Sequence, residues 1–530
     1  MKNRRVKILL TLLILAFSII GISAADDTEP SAIIKTPPAP KFTDAERQAE
    51  LARHRAAVFA KMLPNSMMIL WSAKPRNYAG DVDFYYRQEN NLYYLTALKQ
   101  TNATLILFKN GEKTEQILFL PKRNPAQETW TGKMYSGDDA TRLSGIKTIV
   151  DASEFPAFLQ AVKDKKPFAS KNGVNITANA ETAYFLLPEG EGDGEGMAEF
   201  NREFDVSKTL TGYKVENARP IFGELRLVKS AYELKLLQHA IDISTEAHMR
   251  AMATAKQVKW EYETQAEIEY IFRKRNADYW GYPSIVGCGP NATTLHYEES
   301  QGEIIPNSLL LMDVGAEYDH YTADVTRTFP VNGKFSQAQA DIYQIVYDAQ
   351  EAAAKEIKPG ASFFKASQAA ENVLREGLFK LGLTTDKNSN QFRIWYMHGW
   401  GHWLGMNVHD VGNYGIFKAG MVTTNEPGIY IREDALKYLQ DTPANKAFIA
   451  KIKPAFEKYK NIGVRIEDDM LVTDTGTIWM TKNLPRKMSD IEAFMAKASK
   501  EFQTARVQRE QVNPTLSIFD SSGNAFLPKN

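Results

Sequence analysis

The chain has 530 residues, 44% hydrophobic and 24% charged, with Lys plus Arg equal to Asp plus Glu at 64 each. That length is too great for one ordinary core and points to two domains, while zero net charge with no basic stripe argues against nucleic acid as a partner. A single cysteine, Cys288, excludes an intramolecular disulfide and a thiolate metal cluster, and reads as a small buried hydrophobe.

In chain order, "MKNRRVK", "ILLTLLILAFSII" and "GISAAD" give the basic, apolar and small-residue succession of a signal peptide over residues 1–25. The apolar run is short for a membrane span, and no later segment is long and apolar enough for one. The expected mature protein is therefore exported, periplasmic or secreted, and soluble, meeting a membrane only if the leader stays uncleaved. Residues 26–44 are Pro-rich and polar and read as a spacer.

From "FTDAERQAELARHRAAVFAKM" a helix leads into strand-like segments such as "SMMILWSA" and "NATLILFKNG". "PEGEGDGEGMAEF" near residue 190 reads as a solvated acidic loop. A domain boundary falls between residues 215 and 230, where "SAYE" forms a capping box from Ser230 to Glu233 and Leu234, Leu237 and Ile241 follow at helical spacing. Further on, helices such as "QAQADIYQIVYDAQEAAAKEI" alternate with strand-like runs, giving an α+β second domain, and beyond about residue 490 the chain is polar and weakly patterned.

Three strand-like segments carry acids where apolar residues are the rule. "SLLLMDVGAEYDHYTADVTRTFPV" reads as a hairpin, and a symmetric turn around Tyr318 and Asp319 would set Asp313 opposite Asp324. Like charges about 5 Å apart repel, so a shared proton, a cationic side chain or a metal must offset them, unless the register turns one aspartate to water. "VTTNEPGIY" ends an apolar segment in Glu426, held extended by Pro427. "GVRIEDDMLV" alternates like a strand, with Arg465, Glu467 and Asp469 on one face. Acids buried without a partner are costly, so the three segments suggest one shared cation site. Arg465 could hold a ligand carboxylate in place, or form a surface ion pair.

Three of the eight histidines, His398, His402 and His409, fall in "MHGWGHWLGMNVHD". Gly399, Gly401 and Gly405 make a zinc-binding helix improbable there, and no Glu follows the first His. In extended backbone His398 and His402 share a face. His296 in "TTLHYEES" is unremarkable by itself.

Together "LMDVG", "TADVTRTFPVNGKFS", "HGWGHWLGMNVHDVG", "NEPGIY" and "GVRIEDD" resemble, in order and spacing, the pita-bread metallopeptidases, and among them the aminopeptidase P (Xaa-Pro aminopeptidase) group. The resemblance spans about residues 45–490, including "FYYRQENNLYYLTAL". It implies an N-terminal α/β creatinase-like domain over 45–218, a pita-bread catalytic domain over 219–490 and a tail over 491–530. It implies that Asp313, Asp324, His402, Glu426 and Glu467 bind two divalent ions, with Asp324 and Glu467 bridging. Four carboxylates and one imidazole suit Mn²⁺, with Zn²⁺ or Co²⁺ as alternatives.

By the same resemblance, a hydroxide bridging the two ions attacks the bond between an N-terminal residue and a following proline. Glu426 would carry the proton to the leaving nitrogen. His296, His398 and His409 would bind substrate and stabilise the transition state, with His409 and His296 donating to the tetrahedral intermediate. Tyr282 and Tyr430 would lie near the substrate pocket, and Arg465 is counted with the catalytic residues as the donor that holds a ligand carboxylate. Asn425 departs from the apolar residue usual before "EPG". A homo-oligomer is also implied. The alternatives are an Xaa-Pro dipeptidase (prolidase) and a metal-free binding protein of the same fold. The second is disfavoured because all five ligand positions are filled, as is a metal-free hydrolase resembling creatinase.

Overall fold

The structure, a computed structural model, describes residues 32–177, 179–188 and 195–512. The expected signal peptide, most of the acidic stretch near residue 190 and the end of the chain lie outside the described residues.

The N-terminal half opens with the helix Asp44–Lys61, begun by a capping box between Thr43 and Glu46. The following strand, Ser66–Trp71, is buried along its whole length, as its unbroken apolar run requires. It lies inside a six-stranded sheet, pairing antiparallel with Thr104–Asn110 and parallel with Thr182–Phe185. The period of two divides its side chains: Met67 and Ile69 join Phe119 and Phe158 on one face, while Met68 and Leu70 join Leu92 and Leu107 on the other. The second face continues into Leu237, Ile241 and Tyr321, and so docks the two halves of the molecule.

The C-terminal half repeats one order of elements. Ser230 and Glu233 form the capping box of helix Ala231–Thr254, which with Glu261–Lys274 precedes the strands Ile285–Cys288, Leu309–Asp313 and Thr326–Pro330. A second helix pair, Gln337–Ala354 and Phe363–Lys380, precedes Val422–Asn425, Gly428–Tyr430, Gly463–Arg465 and Asp468–Val472. Residues such as Ile268, Ile342, Val346 and Leu374 close these helices over the strands. The two sets of strands meet where the Glu467 N–H donates to the Thr326 carbonyl at 3.1 Å.

Four expectations change. The hairpin turn falls at Asp319 and His320, whose φ values of 50° and 68° mark a two-residue type I′ turn. Tyr318 then pairs with Tyr321, and Asp313 pairs with Thr326 rather than Asp324. The turn lies one residue later than the symmetric reading, so the register moves by two. Such a move keeps each side chain on its face, and both aspartates still project to one side.

The strand foreseen across "GVRIEDDMLV" breaks at Ile466 and Glu467, whose N–H groups bond to Pro427 and Thr326 in different pieces of sheet. In place of a polar tail from residue 491, helix Met488–Val512 buries Ile491, Met495 and Ala498. These fall at i, i+4 and i+7, a stripe too sparse to stand out in the sequence. The end of the foreseen spacer is anchored too: Ile33 is buried, and Thr36 donates to Glu246 through its N–H at 2.7 Å and its hydroxyl at 2.6 Å. Cys288 is buried in its strand, and burial pushes its thiol up to about 11.

Candidate metal centre

The strand ends bring the acids together. Asp313 closes the strand Leu309–Asp313, and Asp324 leads into Thr326–Pro330. Glu426 follows Val422–Asn425, where Pro427 ends the strand and the Glu426 N–H donates to the Trp400 carbonyl at 2.8 Å. Glu467 sits in the break described above. The His402 segment adds no regular element but runs beside Val422–Asn425, with the Thr424 N–H bonded to the His402 carbonyl at 2.9 Å. Gly401 permits this approach, since a Cβ there would lie 2.4 Å from the Thr424 carbonyl oxygen.

His402 Nε2 lies 3.2 Å from Asp324 Oδ2 and 3.4 Å from Glu426 Oε1. Its Nδ1 faces the Trp403 carbonyl at 3.0 Å, which assigns a proton to Nδ1; Nε2 then donates a second proton to the carboxylates or gives its lone pair to an ion between them. Thr326 donates to Glu467 Oε2 at 2.7 Å and accepts from Arg465 Nε at 3.1 Å. Arg465 Nη2 donates to Asp313 Oδ2 at 2.5 Å, and the Tyr282 hydroxyl lies 2.6 Å from an oxygen of both Asp313 and Asp324.

Removal from water sets the electrostatics. Burial raises Asp324 above the usual carboxylate range; the His402 bond opposes this and Asp313 adds to it. Burial likewise lifts Glu467 well above its usual value, reinforced by Asp324 and Asp313. Glu426 is pushed up to about 7 by burial, with His402 opposing and Asp324 adding. Burial alone would depress His402, but the Asp324 bond and the Glu426 charge raise it to about 9. Four acids crowded around one imidazole and one guanidinium leave negative charge that only entering cations or protons balance. Donor atoms of Asp324, His402 and Glu467 all lie within 4.8 Å of one another. The donor set therefore fits divalent cations.

These residues line a cavity of about 610 Å³, whose walls include Tyr282, His296, Phe363, Phe364, His398 and His409. His409 packs against His402 with ring centroids 4.1 Å apart, and both His409 and His296 are exposed at the rim. Tyr430 departs from its expected place beside the substrate. It is fully buried behind the wall, accepting from Arg465 Nη1 at 2.7 Å and bonding His398 Nε2 at 2.8 Å. The other His398 nitrogen faces the Gly399 carbonyl at 2.7 Å, so both ring nitrogens are engaged within the protein. Burial and the neighbouring Arg465 depress His398 to about 3, which keeps it neutral.

Three residues had no role in the sequence reading. Thr326 joins Arg465 to Glu467. Thr424 accepts the His402 N–H at 3.0 Å and lies 3.4 Å from Glu426. Asp469, buried, accepts the Asp324 N–H at 3.2 Å. The one available signal was a polar residue two positions from an acid in an otherwise apolar strand.

Comparison with known proteins matches residues 235–474 to metallopeptidase family M24 and residues 51–168 to the aminopeptidase P N-terminal domain. The Xaa-Pro aminopeptidase of Haemophilus influenzae is 36% identical over 457 residues, covering 84% of this chain and 97% of that protein. The Xaa-Pro aminopeptidase of Escherichia coli is 33% identical over 471 residues, covering 87% and 100%. A solved structure of aminopeptidase P from E. coli with the inhibitor Pro-Leu superposes with a TM-score of 0.73 at 32% identity, over 87% of this chain and 100% of that one.

Proposed function

This chain belongs to the Xaa-Pro aminopeptidases of metallopeptidase family M24, metal-dependent hydrolases with an N-terminal aminopeptidase P domain and a C-terminal M24 domain, and from that premise we propose how its own residues cleave the bond before proline. Asp313, Asp324, His402, Glu426 and Glu467 would hold the two divalent ions. When bound, the ions supply Lewis acidity to the scissile carbonyl and lower the pKa of water. The four carboxylates and one imidazole favour Mn²⁺, with Zn²⁺ and Co²⁺ as competitors. Convergence of these five side chains on one cavity carries the reading.

The substrate's free amino group enters among the carboxylates, which makes the enzyme an exopeptidase. Glu426 takes a proton from the attacking water and delivers it to the proline nitrogen, which has no hydrogen of its own and leaves only once protonated. His296 and His409, at the rim with side chains open to the cavity, donate to the oxygen on which negative charge develops. Arg465 positions Asp313, while Tyr430 and His398 position Arg465 and the Gly399 backbone. Tyr282 holds Asp313 and Asp324 at a fixed spacing.

Incubating the purified protein with Xaa-Pro peptides of increasing length and with matched peptides lacking proline, each with and without Mn²⁺, Zn²⁺ or Co²⁺, tests the reading. Release of the N-terminal residue from proline peptides of all lengths, lost on chelation, is the expected result. Cleavage of the dipeptide alone would indicate a prolidase, an alternative that the full-length match to Xaa-Pro aminopeptidases disfavours. Export rests on the leader-like residues 1–25, and sequencing the N-terminus of the natural protein tests it. We propose a homo-oligomer from the family resemblance alone, and the mass of the protein in solution tests it.

A further inference from the structure

A second cavity, of about 720 Å³, adjoins the first. The segment 407–411 divides them: Val408 lines the first, Asn407 and Val411 line the second, and His409 lines both. The two walls differ in charge. The first is built around acids. The second carries six basic side chains, among them Lys74, Arg76 and Arg202, against two carboxylates, Glu89 and Glu203.

Part of this positive charge is committed to structure. Arg226 pairs with Asp410 at 2.5 Å inside the C-terminal half, and Arg87 pairs with Glu317 at 2.7 Å across the two halves of the molecule. Lys74 and Arg76 differ from these. Both are exposed, and neither forms an ion pair among the described residues. Arg202 lines the same cavity, over the Trp71 ring, bonded to the Ser72 carbonyl at 3.0 Å and paired with Glu203 at 2.8 Å.

We propose that this basic cavity is the subsite for the far end of long peptide substrates, with Lys74 and Arg76 receiving the substrate's C-terminal carboxylate. The proposal rests on the reading above, in which the amino end of the peptide lies among the acids. A peptide with free termini carries an ammonium at one end and a carboxylate at the other. An extended chain advances about 3.3 Å per residue, so residues beyond the proline run past His409 toward the basic wall. Short substrates end before reaching it. Peptide length and terminal charge thus become determinants of specificity, set by the N-terminal half of the molecule.

The test uses the full chain loaded with Mn²⁺ and Xaa-Pro peptides of two to eight residues, each prepared as the free acid and as the C-terminal amide. In the parent, KM is expected to be lower for the acid than for the amide by about fivefold once the peptide is long enough, and equal below that length. The preference shrinks as salt is added. In the double variant Lys74→Glu, Arg76→Glu the preference is lost or reversed; both side chains are exposed and without an ion pair among the described residues, Arg76 lying over the Phe84 ring, and an unchanged Tm checks that the fold is kept. Equal KM values for acid and amide at every length in the parent, or the same preference in parent and variant, would overturn the proposal. A parent that cleaves no Xaa-Pro peptide overturns the underlying reading, and the proposal with it.

Discussion

Arg465 donates to Asp313 across 2.5 Å, and both side chains are nearly removed from water. The same guanidinium reaches Thr326 and Tyr430, so three partners fix its plane. Arg465→Lys keeps the charge and loses the planar fork. Metal affinity, read by calorimetric titration of the metal-free protein, is expected to fall by about 10- to 100-fold. An unchanged affinity would separate Arg465 from the metal centre.

Glu426→Gln keeps the shape and loses the proton carrier. Turnover is expected to fall by about 10²- to 10⁴-fold with the fold intact, as followed by circular dichroism and peptide hydrolysis. Metal content measured on the same sample separates loss of an ion from loss of the proton transfer. Near-native turnover would show that another group carries the proton.

Chelation should destabilise as well as inactivate, because the crowded acids lose their counter-charge. Adding back metal at about 100 times its Kd is expected to restore about 2.7 kcal/mol of stability, read as a rise in Tm. A Tm indifferent to metal would contradict a buried cation site.

Gly401→Ala places a methyl group 2.4 Å from the Thr424 carbonyl oxygen, which is backbone and cannot swing aside. The expected cost is about 1–3 kcal/mol, with a larger loss of activity because His402 and Glu426 lie on the two segments forced apart. Denaturant unfolding and peptide hydrolysis on one preparation check both.

Away from the site, His54 Nε2 lies 3.0 Å from Glu50 Oε1 and 3.7 Å from Glu233 Oε2, joining helix Asp44–Lys61 to the start of Ala231–Thr254. Burial alone would lower His54, but its bonds to Glu233 and Glu50 raise it above 6.5. A raised histidine contributes stability that is fully present below its unfolded pKa of about 6.5 and lost as pH rises through the folded value. His54→Gln is therefore expected to lower Tm more at pH 6 than at pH 9. An equal deficit at both would assign His54 a packing role, through its stacking on Tyr94.

Much of this arrangement was legible in the chain because it is local. Thr43 with Glu46, and Ser230 with Glu233, announce their helices through side chains three residues apart. The acids were legible because Asp313, Glu426 and Glu467 interrupt apolar runs. Features set by long-range geometry were not. Whether the turn centres on Asp319 or one residue later depends on which pair adopts positive φ, and Asp319 and His320 gave weaker turn signals than a glycine would. The break at Ile466 and Glu467 arises because the chain passes from one piece of sheet to another, which alternation cannot register. Tyr430 shares the periodicity of a cavity-facing residue, yet the Arg465 and His398 side chains stand between it and the cavity.

The repeated order of the C-terminal half divides the candidate donors: Asp313 and Asp324 come from its first repeat, while His402, Glu426 and Glu467 come from the second. During synthesis the first two acids leave the ribosome well before the imidazole exists. On that assignment neither portion carries the full donor set, so ion capture would follow the joining of the two. Catalytic competence would thereby wait until both portions of the C-terminal half have met.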